Sequence, residues 1–212
     1  MSAPDWLQRV ADTSHDDIPL VRRLAGLAHG RQSAVLMLFG PSDDGGQDVV
    51  LTERAATLRK HAGQVSFPGG TIDDTDDGPV EAALREAREE IGLDTDGVEV
   101  VGQLPRLPLS VTGFSVTPVL AWWPRPSSIL AVDPAEVARV VRVPLEALLD
   151  PAHRFTATHP SRAFAAPAFE VDGLYIWGFT AIVLSETFDL AGLTRPWDEH
   201  DERVVPERFM TR

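Results

Sequence analysis

The stretch LRKHAGQVSFPGGTIDDTDDGPVEAALREAREEIGL, residues 58–93, sets a basic cluster, a Gly-Gly turn, an acidic loop and an acidic helix end to end. Its second half predicts a helix that starts at Pro79 or Val80, with Asp77 or Gly78 as N-cap and proline in the first turn. Val80, Leu84, Ala87 and Ile91 recur at helical spacing and form the expected buried stripe. Gly92 suits the left-handed position after the helix, with Leu93 packing back.

Glu86, Glu89 and Glu90 fall on the other side of that helix. Their offsets of i, i+3 and i+4 make the side chains converge. Like charges so placed cost about 0.2–0.5 kcal/mol per pair. The last two also meet the negative end of the helix dipole, at roughly 0.3–1 kcal/mol each. Arg85 and Arg88 offset part of this. Two readings compete: a solvated acidic face, and a divalent-cation site whose ion removes the repulsion. Carboxylates are hard oxygen ligands suited to Mg²⁺ or Mn²⁺. The chain has no cysteine and no histidine pair at ligand spacing, which disfavours zinc.

The surroundings favour the cation. Phe67-Pro68-Gly69-Gly70 lies just upstream, and two glycines let backbone approach a ligand and leave carbonyls, Gly69 among them, free to coordinate. Asp73, Asp74, Asp76 and Asp77 follow, although acids before a helix N-terminus are also favourable through the dipole alone.

Composition bounds the rest. The 212 residues are 43% hydrophobic and 24% charged, ordinary values for a globular chain with one sizeable core. No apolar run reaches membrane-spanning length, and no signal peptide is evident at the N-terminus, so a cytoplasmic location is the default expectation, with no membrane partner. Absence of cysteine excludes disulfides, thiolate metal sites and cysteine nucleophiles. The net charge of -13 works against nucleic-acid binding. A polyanionic small molecule would need a local basic patch or bound cations.

Residues 1–30 read as a helical extension. Trp6, Leu7, Val10 and Ala11 have helical spacing, and Pro19 opens a second helix carrying Leu20, Val21, Leu24 and Leu27 that Gly30 ends. Residues 31–195 read as the main domain. QSAVLMLFG (32–40) and VVLTERA (49–55) predict paired strands, VEVVGQLP (98–105) another, and VTPVLAWWP (116–124) an edge or bulged strand because of Pro118. Residues 136–149 divide at Pro144 into strand and short helix. AFEVDGLYIWG (168–178) predicts a hairpin turning at Asp172-Gly173, and residues 179–193 an amphipathic helix ended near Gly192. Residues 196–212 read as a charged tail, loose at its end. Paired strands with two substantial helices make an α+β domain with a mixed sheet between helices.

Gly70, Asp76 or Asp77, and Arg85-Glu86-Ala87-Arg88-Glu89-Glu90-Ile91-Gly92-Leu93 resemble the Nudix signature: a glycine, five residues, a glutamate, seven residues, then R-E-U-x-E-E-x-G-U with U apolar. The second half matches fully. In the first half, Gly70 to Arg85 is one residue longer than the family spacing, and aspartate stands where glutamate is usual. Those departures are similar to the coenzyme A pyrophosphatase branch. That branch's upstream motif is resembled by Leu51-Thr52-Glu53-Arg54 and Leu58 through Gly70, with Asp73 and Asp76 following. Val111-Thr112-Gly113-Phe114, Val116-Thr117-Pro118-Val119 and Ile176-Trp177-Gly178 are also similar.

The resemblance implies a Nudix α/β/α sandwich and metal-dependent hydrolysis of a nucleoside diphosphate linked to another moiety. For coenzyme A or its derivatives the products are 3′,5′-ADP and (acyl-)4′-phosphopantetheine. Glu86, Glu89, Glu90 and the Gly69 carbonyl are the implied ligands of Mg²⁺ or Mn²⁺. Arg85 orients a glutamate by a bidentate ion pair, and Glu89 is the first choice as general base, with Glu136 a weaker one. Arg54, Arg59, Lys60 and His61 form the basic patch that the net charge demands, and are expected to hold substrate phosphates. Trp122, Trp123 and Trp177 could stack on adenine but read better as core. A homodimer is compatible with the family. The alternatives are a Nudix enzyme for ADP-ribose, a dinucleotide or an oxidised nucleotide, and a binding module that senses a nucleotide without hydrolysing it.

Overall fold

The computed structural model describes residues 2–14, 18–19, 30–109, 113–161 and 164–210. In chain order the elements are α1 (Asp5–Ala11), β1 (Arg31–Pro41), β2 (Gln47–Arg54), β3 (Val65–Ser66), β4 (Gly69–Thr71), α2 (Pro79–Ile91), β5 (Glu99–Gln103), β6 (Leu107–Leu109) and β7 (Phe114–Trp122). They continue as β8 (Val137–Pro144), α3 (Leu145–Leu149), β9 (Arg154–Thr158), β10 (Ala165–Val171), β11 (Leu174–Ile176), α4 (Gly178–Ala191) and β12 (Glu202–Val204). The class is α+β with mixed pairing, as expected. The helix expected from Pro19, Pro19 itself aside, and the Val111-Thr112 part of the Val111-Thr112-Gly113-Phe114 resemblance lie outside the described residues. Among the described residues no helix is long and apolar enough to cross a membrane.

Contacts divide the chain into two compact units. One comprises Met1–Pro41 and Phe67–Leu130, the other Ser42–Ser66 and Ala131–Arg212. Both outer stretches of the chain carry buried aromatic side chains. Trp6 and Leu7 of α1 are buried, and Trp6 meets Phe39 edge-on at 5.1 Å. At the other end β12 pairs in parallel with β9 and Phe209 is buried.

In the first unit β1 runs parallel to β7, from Arg31 opposite Phe114 to Phe39 opposite Trp122. It pairs antiparallel with β4, and β7 pairs antiparallel with β5 and β6. Leu36 to Gly40 are buried without alternation, which means that both faces of β1 are covered, as a layered sandwich requires. Proline118 does not make β7 an edge. It pairs opposite Val35 in β1, and its carbonyl accepts from the Leu104 N–H at 2.9 Å, in the gap between β5 and β6. The N–H that proline lacks is therefore not missed by a ladder. The irregularity lies in the partner strand, between Val100 and Gly102.

In the second unit β2 pairs antiparallel with β3 and β8, with a register shift at Glu53/Arg54. A separate sheet has the order β11-β10-β9-β12. The turn between β10 and β11 is the expected one, with Asp172 at φ 49° and Gly173 at φ 78°. The helix α4 departs from the amphipathic expectation. Thr180, Ala181, Val183, Leu184, Ser185, Glu186, Thr187 and Phe188 are all buried, so it is enclosed on nearly every side.

Candidate active site

The helix α2 begins at Gly78 as N-cap, with Pro79 in the first turn. The Glu81 carboxylate reaches back to the Asp77 N–H at 2.6 Å, a variant of the capping box. At the other end Gly92 takes φ 64°. Its N–H donates to the Arg88 carbonyl at 3.1 Å and the Leu93 N–H to that of Ala87 at 3.4 Å. Both ends fall where the sequence placed them.

The buried face does so in part, at Ala87 and Ile91. Ala82, Ala83, Ala87, Glu90 and Ile91 are buried, while Val80 and Leu84 are only partly covered. These two border a shallow surface depression with Asp77, Glu81, Arg85 and Arg88. The helix is rotated towards its alanines, whose small side chains let it lie against β1, β4 and β7. Glu90 is thereby carried inwards, away from the outward side expected for all three glutamates.

The three glutamates occupy different environments. Glu90 is 9% exposed, and its Oε2 accepts from the Gly69 N–H at 3.0 Å. Glu86 is partly buried and Glu89 is largely exposed. Glu86 Oε1 and Glu89 Oε2 each lie 3.1 Å from the same atom, Nη1 of Arg85. Two carboxylates thus meet at one cation. Burial pushes the Glu86 carboxyl above its ordinary value, with Arg85 opposing and Glu89 and Asp73 adding to the rise.

Arg85 joins the acidic loop to the helix. Its bidentate partner is Asp76, where the sequence led to a glutamate: Nε to Oδ1 and Nη2 to Oδ2, each at 3.0 Å. Nη2 also donates to the Thr71 carbonyl at 2.9 Å, and Asp73 lies at 3.7 Å. The Arg85 bonds, followed by the Asp73 N–H, hold the Asp76 carboxyl below its ordinary value. Bonds to Asp76 and the charge of Glu86 keep Arg85 protonated. The anchoring role of Asp76 is the feature that the sequence reading lacked, and a loop acid facing an arginine across the helix start was its signal. Arg88, expected to share the neutralisation, turns instead to the Thr95 hydroxyl at 2.7 Å.

The two glycines before the loop are shaped by this packing. Gly69 takes φ 154°, and a Cβ there would run into the Ala34 carbonyl and the Val35 backbone. A Cβ on Gly70 would run into the Glu86 carboxylate. Gly70 is therefore the cradle that gives Glu86 its place.

Among the described residues no three acidic or imidazole side chains stand in a preassembled metal cage. The donors present are nonetheless of the kind that a hard divalent cation takes. Glu86 and Glu89 already converge on one positive point, and the missing side chain at Gly70 lets the Glu86 carboxylate lie against the backbone there. Glu86 and Glu89 fit such an ion, with Glu90 and the Gly69 backbone next to them.

The basic residues belong to the other unit, in the loop that follows β2. The loop is closed at its base by the Arg54 N–H to the Gln64 carbonyl at 2.9 Å and the Gly63 N–H to the Arg54 carbonyl at 3.2 Å. Arg59, Lys60 and His61 are exposed on it. Arg54 Nε is buried and has no hydrogen-bond partner. Glu136 is exposed, and its carbonyl takes the Ala55 N–H at 2.9 Å. Trp122 and Trp123 are core residues, 3% and 2% exposed.

The NUDIX domain family model matches residues 30–164. A protein of Cronobacter sakazakii described as an uncharacterized Nudix hydrolase, NudL, is 43% identical over 158 residues, which cover 74% of this chain and 80% of that protein. Its Citrobacter koseri counterpart is 41% identical over 144 residues, 65% of this chain and 72% of the other. Among solved structures, the Nudix hydrolase RenU of M. smegmatis is 26% identical, with a TM-score of 0.48 over 57% of this chain and 74% of that one.

Proposed function

Because this chain belongs to the Nudix family, and is thus a pyrophosphohydrolase of nucleoside diphosphate derivatives, we propose that its substrate is coenzyme A or an acyl derivative. The reaction adds one water across the phosphoanhydride. The water oxygen bonds to one phosphorus, the bridging P–O bond breaks, and the products are 3′,5′-ADP and (acyl-)4′-phosphopantetheine.

The observation that carries the reading is the basic loop immediately ahead of the Gly-Gly turn. The net charge is -13, yet Arg59, Lys60 and His61 stand exposed together and Arg54 keeps a buried donor unpaired. Coenzyme A brings a 3′-phosphate besides its diphosphate, and so needs cations beyond those at the scissile bond. Arginine and lysine suit this, the one as a forked donor and the other as a point charge.

Glu86, Glu89, Glu90 and the Gly69 carbonyl are assigned to Mg²⁺ or Mn²⁺. A divalent ion there supplies charge neutralisation at the phosphoanhydride and a water acidified towards neutral pH. Glu89, the most exposed of the three, is the carboxylate assigned to take the proton of the attacking water. Arg85 holds Glu86 and Glu89 in register and ties both to the loop through Asp76. The enzyme is assigned to the cytoplasm, working on a small molecule.

The test is product analysis of coenzyme A, ADP-ribose and a dinucleotide with and without Mg²⁺ or Mn²⁺, repeated with Glu89→Gln and Arg59→Ala. The expected result is metal-dependent release of 3′,5′-ADP, lost in Glu89→Gln, with a raised KM in Arg59→Ala. Higher kcat/KM for ADP-ribose or the dinucleotide would replace the substrate, and tight binding without turnover would favour a sensing module.

A further inference from the structure

We propose that the C-terminal turn around Phe209 is a positioning element for the basic loop, acting through Gln64 on His61. This rests on the reading that the loop binds substrate phosphates.

The connection is a chain of hydrogen bonds. Gln64 Nε2 donates to the Phe209 carbonyl at 3.1 Å, and Gln64 Oε1 lies 2.9 Å from His61 Nδ1. A carbonyl can only accept, so the amide must turn its nitrogen to Phe209 and its oxygen to His61. That oxygen in turn requires the proton on His61 Nδ1. Nε2 of the imidazole is left for a ligand. The carbonyl of a residue 145 positions further along the chain thus selects the tautomer of an exposed histidine.

The backbone needs this support. His61 takes φ 56° and is not glycine, a conformation that persists only where the surroundings hold it. Phe209 provides the hold. A Cβ on Gly63 would touch its ring at 3.8 Å, so the loop backbone lies directly against it. The ring is seated in turn: it stacks on Tyr175 at 5.4 Å with planes 17° apart, and lies 6.5 Å from Trp177. It shares a buried cluster with Phe155, Ala157, Ala168, Tyr175 and Val205. The neighbouring Arg208 guanidinium lies over the ring, 4.7 Å from its centroid. The loop that carries Arg59 and Lys60 is therefore braced by an aromatic residue from the far end of the sequence.

The test compares Gln64→Leu, Phe209→Ala, Phe209→Leu and Arg59→Ala by coenzyme A kinetics, calorimetric binding of 3′,5′-ADP, and melting temperature. Gln64→Leu and Phe209→Ala are expected to raise KM and weaken 3′,5′-ADP binding roughly ten-fold, about one hydrogen bond's worth, with kcat within about twofold. The double variant should be no worse than the weaker single, and Phe209→Leu should recover most of the loss. Should Phe209→Ala fail to fold, Gln64→Leu decides. If Arg59→Ala raises KM while Gln64→Leu leaves it unchanged, or if kcat falls as much as KM rises, the positioning role is wrong and the phosphate reading stands. If Arg59→Ala changes neither KM nor 3′,5′-ADP binding, both fall together.

Discussion

Arg85 grips Asp76 with two parallel hydrogen bonds of 3.0 Å, while a third nitrogen of the same guanidinium holds Glu86 and Glu89. One side chain therefore fixes an acidic loop to an acidic helix. Asp76→Asn keeps the shape of its side chain and loses its charge. Supporting groups of this kind cost roughly 10–100-fold in metal affinity or activity when changed. A Mn²⁺ titration followed by melting temperature should show that weakening, and an unshifted titration would remove Asp76 from the site's support.

Glu90 and Glu89 are adjacent but should behave oppositely. Glu90 is buried on the Gly69 N–H, so Glu90→Ala is expected to cost about 1–3 kcal/mol in chemical denaturation by leaving that half-buried donor without its carboxylate. Glu89 has a side chain 61% exposed, so Glu89→Ala should leave stability nearly unchanged while abolishing turnover. Equal stabilities of the two variants would contradict the rotation of α2.

The glycine pair separates fold from function. Gly69→Ala puts a Cβ into backbone at a positive φ, and should destabilise by about 1–3 kcal/mol or more. The nearest atoms that Gly70→Ala meets belong to the end of the Glu86 side chain, which can swing aside. It should fold and melt like the parent, and lose activity because Glu86 has been displaced. A fully active Gly70→Ala enzyme would show that the position of Glu86 is unimportant.

A pH-dependent term sits far from these residues in sequence. Asp48 is 4% exposed, and burial raises its pKa to about 6 against the pull of Arg142, whose Nη2 lies 2.9 Å away. The folded state then binds a proton more readily than the unfolded chain. Its stabilising contribution is complete below the unfolded value of 3.8 and is lost as pH rises through about 6. The span is worth up to about 3 kcal/mol. Denaturation curves between pH 4 and 6.5 should show stability falling with pH by this term, and Asp48→Asn should remove the slope.

What the sequence made legible follows from which signals are local. The ends of α2 were readable because Pro79, Gly78 and Gly92 act on their own backbone. Its buried face was readable only at Ala87 and Ile91, because alanine is too small to mark a face by hydrophobicity: Val80 and Leu84 also carried the pattern, whereas Ala82 and Ala83 carried the packing. Proline118 misled for a related reason. Its missing donor matters only on one side of β7, and that side is the break between β5 and β6, which no local reading reveals. In the candidate site, spacing alone grouped Glu86, Glu89 and Glu90. The differing burial of Glu90 and the capture of Arg85 by Asp76 depend on how β4 and the loop meet the helix.

The discontinuity of the second unit bears on synthesis. Its early piece, Ser42–Ser66, is made before the intervening Phe67–Leu130, and its later piece starts at Ala131. The strand β9 receives its β12 partner only when residues 202–204 emerge. A nascent chain must therefore leave β2 and the basic loop waiting while much of the remaining polypeptide is translated, and a chain not yet extended to Phe209 lacks the ring that stacks on Tyr175.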